Sequence, residues 1–200
     1  MKPIRLSVAL TALALATTAL SAQANHYDSM YKTANLSQNC VDGDHRYFCQ
    51  TDNSGMTWYD EDSITFTGRS NIDSVLENSF EATDLTVSIQ IPPSYSGGSE
   101  TDIIYRQIAL PSGVLGQTWC DDAVTSTQCD QHYVDLAAST PDTKTICHES
   151  GHAIGLTHGF DAAPRVSNGD DTLGCMQTPY AEITAAVLGA HNQAQVNATY

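Results

Sequence analysis

The sequence predicts an α+β domain built on a small, mixed, twisted sheet, with a central helix that carries paired histidines and a further helix at the C-terminus. Three observations carry this. Residues 85–91 alternate apolar with polar side chains and end at Pro92-Pro93, as a strand does. His148 and His152 stand four apart in a helical stretch that stops at Gly155. Short strand-like runs and helical runs follow one another without any internal repeat or low-complexity segment.

Taken in order, the chain opens with Lys2 and Arg5, an apolar run over residues 6–20, and then Ser21-Ala22-Gln23-Ala24. A positive start, an apolar stretch and a small-x-small site read as a signal peptide over residues 1–24, so the mature protein is expected to be secreted and extracellular. The apolar run is short and broken by Ser7, Thr11, Thr17 and Thr18, which argues against a membrane anchor. Residues 25–50 are polar and aperiodic, and residues 25–56 are expected to be either a short pro-segment or a disulfide-pinned entry into the domain of residues 57–200. Thr57-Trp58-Tyr59 is the first strand. Ile72, Val75, Leu76, Ser79 and Phe80 share one face of a helix for which Ser70 is the expected N-cap. After the strand at 85–91 and a Gly/Ser loop come three more: residues 102–105, 114–119 (the weakest, with Gly116 suggesting an edge or bulge) and 132–136. Pro141 suits the first turn of the histidine helix, behind Ser139 or Thr140 as cap. The last helix is expected to restart at Thr178-Pro179 and run through Glu182, Ile183, Ala186, Val187 and Ala190.

The formal net charge is −15, with 23 acidic against 8 basic residues. Such acidity opposes binding to nucleic acid or anionic membranes. Acidity is compatible with bound Ca2+, yet no D-x-[DN]-x-[DN]-G loop supports a site for it. Six cysteines in an exported chain suggest disulfides, and the count alone leaves the pairing open. Spacing favours Cys40 with Cys49 and Cys120 with Cys129, each closing a short loop. Cys147 and Cys175 would then join the histidine helix to the segment before Met176. The alternative is a cysteine that ligates metal in a latent form, for which no inhibitory motif is visible.

The chemistry concentrates in His148-Glu149-Ser150-Gly151-His152-Ala153-Ile154-Gly155-Leu156-Thr157-His158. Two histidines four apart on a helix reach one metal, and His158, past the turn at Gly155, supplies a third nitrogen. Three protein ligands with an open position characterise a catalytic zinc site, whereas structural sites are closed by four. Glu149 is placed as general base rather than ligand. This pattern resembles the metzincin metallopeptidases, in particular small secreted bacterial matrixin-like peptidases, and Gly174-Cys175-Met176 resembles their methionine turn. The resemblance implies a zincin-type catalytic domain holding one Zn2+ on His148, His152 and His158. It also implies a secreted endopeptidase with Glu149 as general base, acting as a monomer on protein or peptide substrates. The peptide would lie extended along the edge at residues 114–119. Two other readings are a non-catalytic zinc-binding secreted module and a narrow-specificity cell-wall peptide amidase. Retention of Glu149 weighs against the first, since a structural site has no use for a general base.

Overall fold

A computed structural model describes residues 27–43, 45, 48–179 and 186–200; the segment at 1–24 expected to be a signal peptide lies outside them. The strands are β1 (Gln50–Thr51), β2 (Gly55–Asp60), β3 (Thr86–Ile89), β4 (Ile103–Gln107), β5 (Gly116–Ala123) and β6 (Gln128–Leu136). The helices are α1 (Phe66–Val75, continued by one wide turn over Leu76–Phe80), α2 (Thr143–Ala153) and α3 (Ala190–Thr199). The sheet runs β1-β6-β4-β2-β3, with β5 on the other side of β6. All its pairings are parallel except β5 with β6. It is a mixed α/β arrangement in which the single antiparallel strand forms an edge.

The helix at 66–80 buries Ile72, Val75, Leu76 and Phe80, the face its spacing marks. Its cap is Thr65 and not Ser70: the Thr65 hydroxyl accepts from the Gly68 amide at 3.1 Å. The first turn carries no apolar periodicity, because Phe66 is 87% exposed and Gly68 packs against the segment entering α2. A Cβ on Gly68 would lie 2.6 Å from the Ser139 carbonyl oxygen. That segment explains a second correction. Asp142 caps α2, accepting from the Lys144 and Thr145 amides at 3.0 and 3.1 Å, so Pro141 precedes the cap and neither Ser139 nor Thr140 fills it.

The last helix also departs from its expected limits. Residues 180–185 lie outside the described residues, and α3 begins only at Ala190. Leu188 instead bridges Gly174, and the Cys175 amide donates to the Val187 carbonyl at 2.9 Å. Main-chain groups committed to that pairing cannot serve a helix. β3 is a strand as expected, but its position at the sheet edge leaves Ile89 44% and Ile91 68% exposed.

The polar stretch after residue 26 is woven into the core. Tyr27, Met30 and Tyr31 are buried. Asp28 bridges Ala163 and Met30 bridges Leu156, so this segment runs along the loop that follows α2. Three disulfides join Cys40–Cys49, Cys120–Cys129 and Cys147–Cys175. Among the described residues no helix is long and apolar enough to cross a membrane.

Candidate metal centre

α2 presents His148 and His152 on one face, one turn apart. The helix ends at Ala153 and Gly155 takes φ +92°, a conformation that turns the chain back and suits glycine. His158 thereby returns to the other two. The three Nε2 atoms lie 3.1, 3.1 and 3.2 Å apart.

Tautomers follow from the outer partners. His148 Nδ1 lies 2.8 Å from the Cys175 carbonyl oxygen, and His152 Nδ1 lies 2.8 Å from that of Leu156. A carbonyl only accepts, so both Nδ1 atoms carry the proton and each neutral ring points a bare Nε2 inward. Burial pushes His148 down to about 4, and it holds His152 well below 6.5, with neighbouring imidazoles adding to the effect in both. The bare Nε2 lone pairs of His148 and His152, converging with His158, repel one another unless a cation lies among them. Imidazole nitrogens bind zinc at about 2.0–2.1 Å, a distance that nitrogens at this spacing can share to a single point. The residues therefore fit a metal ion. His158 is the most loosely framed, with Asp161 Oδ2 3.7 Å from its Nδ1.

Glu149 is 7% exposed and faces β5. The Thr118 hydroxyl lies 2.8 Å from Glu149 Oε2 and 2.9 Å from its carbonyl oxygen. Burial raises the Glu149 carboxyl to about 7, against the opposing hydrogen bond from Thr118. Gly116 makes room for it: a Cβ there would stand 2.5 Å from Glu149 Cγ. Beside Glu149 and His148 opens a cavity of about 250 Å³, lined by residues 113–116, Thr145 and Gln177, Thr178 and Pro179.

Met176 is fully buried beneath the helix, and a Cβ on Gly151 would fall 2.2 Å from its sulfur. The Cys147–Cys175 bond ties the residue before His148 to the one whose carbonyl orients it. Sequence reasoning missed Thr118 and Phe48. Thr118 stands 31 residues before Glu149 with no local pattern to mark it. Phe48 stacks on His152, ring centroids 3.7 Å apart and planes 9° apart, and meets His158 edge-on. Of the other described histidines, His45 packs on Trp119, His132 is buried in β6, and His191 contacts Tyr27; none of these joins the cluster, and His26 lies outside the described residues. A separate grouping of Glu100, Asp122 and Asp130 brings carboxylate oxygens within 4.8 Å, and nothing beyond acidity marks it for calcium.

No family model and no curated protein matches this chain. Among solved structures, a crystal structure of myroilysin is similar with a TM-score of 0.47 at 16% identity, covering 82% of this chain and 91% of that one. A likeness this distant carries no argument, and the functional reading rests on the site itself.

Proposed function

We propose that this protein is a secreted zinc-dependent endopeptidase. The observation that carries the reading is the convergence of three imidazole Nε2 atoms at 3.1–3.2 Å beside a buried, oriented carboxylate. His148, His152 and His158 would hold the ion, and imidazole donors in threes suit zinc with an open coordination position. A bound zinc supplies Lewis-acid polarisation of a carbonyl and makes water acidic near neutral pH.

The chain's own groups do the rest. The Cys175 and Leu156 carbonyls fix two rings in the tautomer that ligates. Thr118 engages Glu149 Oε2, which leaves Oε1 to take the proton from the attacking water and pass it to the departing amine. The carboxyl, raised to about 7, is matched to both halves of that transfer. Peptide substrate lies along residues 114–119, on the β5 edge away from β6.

The test is hydrolysis of casein by the mature chain beside Glu149→Ala. Both should bind one equivalent of zinc, since Glu149 is not a ligand, and only the unsubstituted chain should cut, with loss of activity in chelator. Equal cutting by both chains, or none by either with zinc bound, would sink the endopeptidase reading.

A further inference from the structure

Two carbonyl oxygens aim two of the imidazoles, and they sit on different loops. Leu156, past the end of α2, serves His152; Cys175, before Met176, serves His148. The Cys147–Cys175 bond holds the second loop to α2. The first loop is paired with the segment at 29–31. The Tyr31 amide donates to the Gly155 carbonyl at 2.8 Å, and Met30 bridges Leu156. The Ser29 carbonyl accepts from both the amide and the hydroxyl of Thr157, at 2.9 and 3.0 Å.

A line of side chains then joins one loop to the other. The Ser29 hydroxyl donates to Asn192 Oδ1 at 2.9 Å, and Asn192 Nδ2 donates to the Leu173 carbonyl at 2.8 Å. The Leu173 carbonyl also takes the Met176 amide at 3.1 Å, closing the turn that contains Cys175. Ser29, Thr157, Leu173 and Asn192 are all fully buried. The orientation of the Asn192 amide is forced, because the Leu173 carbonyl only accepts and must face the amide nitrogen. With its proton committed to Asn192, the Ser29 oxygen is left to accept from His191 Nε2, 3.2 Å away. Buried polar groups satisfied by one another in this way hold as a unit.

We infer that Ser29 and Asn192, 163 residues apart in the chain, are positioning residues of the metal centre, setting the separation of the two loops whose carbonyls aim His152 and His148. The inference rests on the zinc reading and adds what holds the imidazoles in place from outside. Ser29 acts through Thr157, which stands between Leu156 and His158, and Asn192 acts through the turn at 173–176. Residues 27–31 are therefore part of the zinc-binding protein and not a segment discarded on maturation.

The test compares zinc affinity, by competition with a chelating dye, among the mature chain, Ser29→Ala, Asn192→Leu, the chain carrying both changes, and Ile64→Ala. Ile64 is buried beside Gly68 at the entry to α2 and controls for lost stability alone, which urea unfolding of each metal-free chain measures. Ser29→Ala and Asn192→Leu should each weaken zinc binding about tenfold or more. The double change should weaken it no further than the poorer single one, since both interrupt one line. Ile64→Ala should bind zinc as the unsubstituted chain does, however much stability it loses. Loaded with Co2+, the Ser29 and Asn192 variants should show shifted d–d absorption bands, which report ligand geometry and not stability. Zinc affinity within about twofold of the unsubstituted chain in both variants overturns the inference, as do additive effects or an unchanged Co2+ spectrum. If the unsubstituted chain binds no zinc, the metal-centre reading falls and the inference with it. If the variants weaken zinc as expected while no chain cuts casein, the brace stands and the peptidase reading falls.

Discussion

At Gly116 a hydrogen in place of a methyl decides where Glu149 sits. The missing Cβ would stand 2.5 Å from Glu149 Cγ and 2.8 Å from Oε1, distances no real side chain tolerates. Gly116→Ala should therefore push the carboxylate off its position while leaving the imidazoles alone. The expected outcome is a loss of about 10–100-fold in kcat with zinc content unchanged, read from steady-state kinetics beside metal analysis. Loss of zinc together with activity would show that Gly116 supports the whole centre. The candidate residues of the helix were legible because two histidines four apart with a glutamate beside the first form a local pattern whose spacing maps onto one helix face. Thr118 and Phe48 were not legible, because each reaches the site from a distant strand or loop whose own sequence says nothing about its destination.

At the scale of elements, α2 is fixed at its start and at its middle. Asp142 caps its start, and the Cys147–Cys175 bond, spanning 28 residues, fastens its middle to the segment over Met176. A cross-link of this kind stabilises by about 2–4 kcal/mol in the loop-entropy picture. It also holds the Cys175 carbonyl against His148 Nδ1. The Cys147→Ser, Cys175→Ser chain should accordingly unfold at lower denaturant by about that amount and bind zinc more weakly, about 10–100-fold for a lost orienting partner. Equilibrium unfolding and competition with a chelating dye measure the two effects separately; lower stability with unchanged zinc affinity would assign the bond to the fold alone. Element limits were the least readable part of the sequence. Thr65 and Asp142 are good caps, but Ser70, Ser139 and Thr140 are equally good in isolation. The choice was made where Gly68 meets the Ser139 carbonyl, a contact between segments about 70 residues apart.

At the scale of the whole molecule, a dependence of stability on pH is expected from His132. It is 1% exposed, in the strand next to the two disulfides, and burial pushes it down to about 3. The unfolded chain protonates this imidazole near 6.5 while the folded chain keeps it neutral, so the unfolded state binds the extra proton. The associated stability is complete above pH 6.5 and is lost as the pH falls toward 3. By pH 5 the loss from this group is about 2 kcal/mol. His132→Leu should flatten the fall in stability between pH 7 and pH 5, as followed by urea unfolding at each pH. An unchanged slope in that variant would show that other groups carry the acid sensitivity.

The sequence by itself determined that the chain mixes helices with strands, the strands near 57–59, 85–91, 102–105 and 132–136, and the spacing of the histidines, glutamate and glycine of the candidate centre; that most of the sheet is parallel was not among its expectations. These depend on spacing along the chain, where a period of two or of three to four residues is enough to place a side chain on a face. Tertiary structure alone decided that residues 27–31 line the loop carrying His158, that 187–188 pair with 174–175 instead of extending a helix, and that Asp42 and Gly43 hydrogen-bond to the end of β5. Each of these is a contact between segments far apart in sequence. Which distant groups meet is chosen by burying apolar surface while pairing every main-chain donor, and no local pattern records that choice.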